Sequence, residues 1–442
     1  MLGSSPPQLV GAVPGPRSRE LIEVLARSES PALTARRARR AEKSGAPQDP
    51  IVWRSARGAN VVDVDGNVFV DLAAGFGVMA LGHADPRIQA AIAEQATRVT
   101  HGFGDVHPSD VKVELLERLA SLAPFEDARV ILGSHGSDAI EAALKTAALH
   151  TKRPGVLAFE GGYHGLSHGP LAISAFEPRF REPFAAQLNP HVTFAPWPAD
   201  GESVEAALAA VERAWGALEI GAVFVEPMQG RGGFRPAPPG FIAALGQLAH
   251  ARGALLVLDE IMMGLGRAGA LWLGVHEGAS PDLICAGKAL GGGMPMSACL
   301  GREEVMRSWG DPEGAAIHTA TFLGHPLACA ASLAFLDALD EDALASRSAT
   351  RGEALLRALG EKLQGLPKVR AVRGRGMAIG VAFSEPMLGV AMMSALLRRG
   401  FITLPAARDG SVLSLTPPLS LPDALASLAL DAIADAAREL CQ

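Results

Sequence analysis

Between residues 110 and 290, short β-rich runs alternate with stretches of helical periodicity, and this alternation limits the possible folds more than any other feature. Helical spacing over 111–122 leads into an apolar strand at 129–132. A helix is expected at 137–150, strands at 155–159 and 221–226, a helix at 239–251, and strands at 254–258 and 283–286. Strands that are apolar along their length and separated by helices form a parallel sheet covered on both faces. In such α/β sheets, ligands collect at the carboxyl ends of the strands. The residues placed there are Gly133 to Ser137, Glu160 to Gly165, Glu226, Asp259 and Lys288. A helix at 326–340 leaves this layer. Residues 341–442 mix helices with strands near 376–383, 401–404 and 411–415, as in a smaller α+β domain.

Ahead of the alternating region, NVVDVDGNVFVDL (60–72) reads as a β-hairpin turning at Asp65-Gly66. Residues 1–50 are rich in Pro, Ser and Arg, with a helix expected at 18–27 and a solvated basic run, RRARRAEK, at 36–43. The domain boundaries are therefore set at 1–50 for an N-terminal arm, 51–75 and 336–442 for a small domain, and 76–335 for a large ligand-binding domain. A net charge of −7 argues against a nucleic-acid binder. No apolar run approaches the ~18 residues of a membrane span, and the N-terminus lacks the pattern of a signal peptide. Cys285, Cys299, Cys329 and Cys441 form no CxxC pair, so neither a metal site nor a disulfide framework is expected. The expectation is a cytoplasmic protein.

Two motifs point elsewhere and fail on context. GLGRAG (264–269) fits GxGxxG, but a dinucleotide fingerprint must open a helix directly after its strand, and DEIMM intervenes. GLSHG (165–169) fits the nucleophile elbow, and Ser167, Asp259 and His318 fall in the order of a hydrolase triad. Here GGYH separates strand from motif, and Pro170 follows without an amphipathic helix.

Four features carry chemistry together. Lys288, in ICAGKALGGGMP, ends an apolar strand among small residues, where partial desolvation lowers an amine's pKa and makes it nucleophilic. Asp259 ends LLVLD, and a carboxylate there requires a cation or a strong donor. LGSHGSDAIEAALKTA (132–147) is a strand, a turn and a helix, whose free amides at Gly136, Ser137 and Asp138 suit a phosphate. Tyr163, the single tyrosine, lies in GGYHG at another strand end and could stack on a flat ring. Taken alone, each has an ordinary reading as a snorkelling Lys, a helix cap, a buried ion pair or a core aromatic. Taken together, they supply the parts that pyridoxal phosphate requires: a Schiff-base lysine, an acid for the pyridine nitrogen, a phosphate cradle and a stacking ring.

The chain resembles the class III aminotransferases of the fold-type I pyridoxal-phosphate superfamily over roughly residues 50–425. The most specific stretch is LLVLDEIMMGLGRAGALWLGVHEGASPDLICAGKALGGGMP, with Asp259 and Lys288 in its two key positions. The resemblance implies a mostly parallel seven-stranded sheet in the large domain and a small domain built from both chain ends. It implies phosphate contacts from Gly136 and Ser137, stacking by Tyr163, and an acid near the substrate from Glu226 of EPMQG. HTATFLGHP implies that Thr321 reaches the phosphate of a neighbouring subunit, hence a homodimer with shared sites. The implied reaction moves an amino group from a primary amine or ω-amino compound to a 2-oxo acid.

There are departures. Relatives that bind α-carboxylates carry an Arg three residues before a Pro-Pro pair, and here that position is Ser414, in SVLSLTPPL. Glu226 would then lack its usual partner, and Arg408 or Arg54 are possible substitutes. Met262 replaces a Gln, as in the glutamate-1-semialdehyde aminomutases, which keeps an aminomutase or racemase as the alternative. A serine hydrolase using Ser167 is the remote one. Trp53, Phe76, Val78 and Phe103 read equally as core or as an apolar substrate pocket.

Overall fold

The computed structural model describes residues 2–48, 50–310 and 316–441. The chain divides into two compact units, one formed by Met1–Asp85 with Arg347–Gln442, the other by Pro86–Ser346. Among the described residues, no helix is long and apolar enough to cross a membrane.

The Pro86–Ser346 unit is built on a seven-stranded sheet. Across it the strands run Ala128–Gly133, Ser297–Arg302, Leu283–Ala286, Leu255–Asp259, Ile220–Val225, Gly155–Phe159 and Val192–Ala195. Ser297–Arg302 is antiparallel to both its neighbours, and the other neighbouring pairs are parallel. The central strands Ile220–Val225, Leu255–Asp259 and Leu283–Ala286 are buried along their whole length. Helix Gly136–Thr151 supplies Ile140, Ala143 and Ala147 to a core with Val156, Phe224, Val257 and Leu283. The sheet is thus mostly parallel, as expected, with Ser297–Arg302 the one strand that runs against the rest. The strand Ser297–Arg302 was not legible because SACLGR holds small residues and one large apolar side chain, Leu300.

The other unit carries two four-stranded sheets. In the first, Asn60–Asp63 and Val68–Asp71 form the expected hairpin. Its turn is closed by Asp63, whose carboxylate accepts from the amides of Asp65 (3.0 Å) and Asn67 (2.8 Å), while Gly66 takes φ +91°. Residues near the N-terminus lie along this hairpin. The amides of Gly3 and Ser5 donate to Asn60, that of Val10 donates to Asn67, and the Ser18 hydroxyl donates to Asp65. The basic run 36–43 is part of the helix Pro31–Ser44. Strand Phe401–Ile402 joins the sheet parallel to Val68–Asp71. The second sheet runs Val369–Arg375, Ala378–Phe383, Val412–Leu415 and Leu404–Ala406. The strand expected near 376–383 is therefore the second arm of a hairpin that turns at Gly376, φ +52°.

Candidate active site

The carboxyl ends of the central strands place three of the expected residues in one cluster. Asp259 closes its strand and is 5% exposed. One of its oxygens lies 2.7 Å from His164 Nδ1, and the other accepts from the Ile261 amide at 3.1 Å. A carboxylate can only accept, so the His164 ring N–H donates. Burial opposes charge on His164, but the hydrogen bond and charge of Asp259, with Glu226 beyond, outweigh it and raise the imidazole pKa. His164 was not singled out in the sequence. Its position next to Tyr163 at a strand end was the available signal, but its partner is 95 residues away.

Glu226 follows the strand Ile220–Val225 and is also buried. Its two oxygens accept from the amides of Tyr163 (3.0 Å) and Gly230 (2.9 Å), so it has partners without an arginine. Burial pushes its pKa up to about 7, with Asp259 adding to the rise and His164 opposing it.

Lys288 begins a single 3₁₀ turn after Leu283–Ala286 and has φ +44°, a left-handed backbone rarely adopted by a non-glycine residue. Such strain is held where surrounding structure over-determines the position. Burial lowers the amine's pKa, Asp259 and Glu226 act in the opposite sense, and Arg231 adds to the lowering. The strand end thus presents an amine biased toward its neutral, nucleophilic form.

The helix Gly136–Thr151 begins beside this cluster. Asp138 reaches back to accept from the amides of Ser134 (2.8 Å) and His135 (3.3 Å). Its own amide donates to His135 O at 2.8 Å, so the expected trio of free amides reduces to Gly136 and Ser137. Space around them is fitted to glycine. A Cβ on Gly165, at φ +126°, would lie 2.1 Å from Ser137 Oγ, and one on Gly136 would lie 3.0 Å from the Ile261 side chain. A Cβ on Gly287 would likewise lie 3.2 Å from the Ile261 side chain. Ile261, absent from the sequence reading, is therefore the side chain that joins these two glycines.

Tyr163 meets Phe176 edge-on at 6.2 Å, and the Arg231 guanidinium lies over the Tyr163 ring at 4.3 Å. Met262 packs against Gly230, where a Cβ would lie 2.4 Å from its sulfur. Thr321 is exposed on its loop. Ser414 donates its hydroxyl to Leu404 O at 2.8 Å, inside its own sheet. Arg54 and Arg408 are exposed. Trp53, Phe76 and Phe103 are exposed rather than core residues, Phe76 by 67%. The hydrolase triad is not assembled, because His318 Nδ1 lies 3.3 Å from Lys145 Nζ while Asp259 is taken by His164. GLGRAG lies in turns, and the first helix after it is the single turn Leu273–His276, which the glycines do not open.

These residues fit pyridoxal phosphate. Two free amides at a helix N-terminus suit a phosphate, a buried carboxylate suits a protonated pyridine nitrogen, and a strained lysine with a lowered pKa suits an aldehyde. The comparisons agree with this class of enzyme. The family described as Aminotransferase class-III matches residues 42–437, and the chain belongs to it. It is 35% identical to the acetylornithine aminotransferase of Methanopyrus kandleri, over 88% of this chain and 95% of that protein. It is 35% identical to the 5-aminovalerate aminotransferase of Pseudomonas putida (88% and 94%) and 31% identical to the 4-aminobutyrate aminotransferase of Mycobacterium leprae (96% of each). The solved ornithine aminotransferase of Toxoplasma gondii superposes with a TM-score of 0.79 at 29% identity, over 88% of this chain and 91% of that one. The protein is a pyridoxal-phosphate-dependent aminotransferase of fold type I, acting on an amine and a 2-oxo acid, and the aminomutase and hydrolase readings are set aside.

Proposed function

We propose that the amino donor is a primary amine or the terminal amino group of an ω-amino compound, and that the acceptor is a 2-oxo acid. The observation that carries this reading is the Lys288 amine, held at a left-handed residue within electrostatic reach of two buried carboxylates. The donor class is supported by the relatives' names: acetylornithine, 5-aminovalerate and 4-aminobutyrate all carry an amino group at a chain end.

When bound, pyridoxal phosphate supplies an aldehyde that condenses with amines and a ring that accepts electrons. Gly136 and Ser137 would hold its phosphate, Asp259 its ring nitrogen, and Tyr163 one ring face. His164 fixes the Asp259 carboxylate and balances its charge. The Lys288 amine, once released by the incoming amine, moves a proton to and from the substrate carbon that bears the amino group. Glu226 fixes the Tyr163 and Gly230 backbone and thereby the wall facing Lys288.

The reading includes a homodimer in which Thr321 serves the partner's phosphate. Phe103, Val106, Ile317 and Phe322 are all more than half exposed, which supports a covering surface. It also includes a cytoplasmic setting, supported by four free, buried cysteines.

The test is visible absorbance of the purified enzyme while single amines are added without any oxo acid. Loss of the cofactor band with one equivalent of carbonyl product supports the reading, and the responding amine names the donor. A band that persists while the amine is isomerised overturns it.

A further inference from the structure

An aminotransferase that uses a 2-oxo acid must hold a carboxylate close to its lysine, and Ser414 offers no charge for this. Arg231 does. It lies in a loop whose backbone is fixed on both sides. Gly230 donates to buried Glu226, and the amides of Gly233 and Phe234 return to Gly230 O at 3.1 Å. Gln229 donates to Glu160 O at 2.7 Å, and a Cβ on Gly232 would lie 2.6 Å from Gln229 Oε1. The loop therefore has no slack with which to move the arginine elsewhere.

The guanidinium is oriented by three rings. Its central carbon lies 4.3 Å from the centroid of Tyr163, 4.8 Å from Phe176 and 6.0 Å from Phe180. Stacking uses the faces of the guanidinium plane and leaves its N–H edges for a ligand. Among the described residues no carboxylate pairs with Arg231 and no acceptor takes its side-chain N–H groups. A half-buried, oriented, unbalanced guanidinium suits an anion, and a carboxylate fits its fork with two parallel bonds. Glu226 accepts from the amides of both Gly230 and Tyr163, which ties the arginine's loop and its stacking ring to the buried carboxylate of the site.

We propose that Arg231 is the seat for the carboxylate of acid substrates, placing the oxo carbon of a 2-oxo acid before the Lys288 amine. This rests on the aminotransferase reading above. Amines without a carboxylate leave the guanidinium stacked and unengaged, so a single pocket serves both half-reactions.

The experiment compares the holoenzyme with R231Q, R231K and R408Q. The first readout is binding of propanoate, an unreactive carboxylate, by calorimetry. R231Q should weaken it about 10- to 100-fold, the loss of charged hydrogen bonds. R231K, which keeps charge but not the fork, should fall between. The second readout is the separate half-reactions. KM for pyruvate should rise by a similar factor, and the benzylamine half-reaction should change far less. Unchanged propanoate binding in R231Q overturns the proposal. So does an equal loss in both half-reactions, which marks Arg231 as a support for Tyr163, or an effect found in R408Q instead. If the wild type takes no amino group from any amine, the underlying aminotransferase reading fails with it, and that result is distinct from the others.

Discussion

Lys288 and the carboxylates around it set the behaviour of the site at the scale of single residues. K288A should lose at least about 10⁴-fold in amino transfer, since it removes both nucleophile and proton carrier. Borohydride should fix the cofactor on the wild type and leave none on the variant. A second consequence concerns pH. Burial pushes Glu226 up to about 7 and Glu260 up to about 8, against an ordinary 4.5. Both folded values lie above the unfolded ones, so between these limits the unfolded chain ionises while the folded one stays protonated. Stability should therefore fall as pH rises from about 4.5 to 7–8, by about 1.4 kcal/mol per pH unit for each group, and level off above. E260Q keeps the oxygen that accepts from Gly274 at 2.7 Å and should flatten this slope. Urea midpoints from pH 5 to 8 check it, and parallel curves would mean Glu260 ionises normally. Lys288, Asp259, Glu226 and Tyr163 were legible because a polar residue ending an apolar strand is conspicuous. His164 and Arg231 were not, because their meaning comes from rings and carboxylates distant in sequence.

At the scale of elements, the glycines around the helix start Gly136–Thr151 are space-fitting rather than merely flexible. G165A would drive a methyl toward Ser137 Oγ at a residue with φ +126°. It should destabilise the protein by about 2–4 kcal/mol and weaken cofactor retention. Urea unfolding and dialysis against phosphate buffer measure the two effects. Retention falling without a change in stability would separate the turn from the core. The helices and central strands that were expected here fall within a residue or two, because their apolar runs are long and bounded, whereas the helices Pro86–Arg98 and Val204–Trp215 were missed. The strands Val192–Ala195 and Ser297–Arg302 were missed, because one is only four residues long and the other is composed of small side chains. The reversed direction of Ser297–Arg302 was also beyond reach, since an antiparallel insertion buried on both faces has the same apolar signature as a parallel one.

At the scale of the whole molecule, the proposed dimer makes its own prediction. Phe322 is 60% exposed and stacks loosely with His101 at 5.4 Å. F322R should yield monomers by light scattering and reduce activity at least about tenfold while the monomer stays folded. Full activity in a monomeric variant would dismiss shared sites. The unit formed by Met1–Asp85 and Arg347–Gln442 has a further consequence. Its first sheet is completed by Phe401–Ile402, and the amide of Thr416 closes onto Leu72 O at 2.8 Å. On the ribosome, then, the N-terminal hairpin emerges with its partners still about 330 residues of synthesis away. At about 5–20 residues per second, that is a wait of roughly 17–66 s. Val61, Phe69 and Val70, buried in the finished protein, spend that time without their C-terminal cover. The nascent chain is thereby a natural client for a holding chaperone.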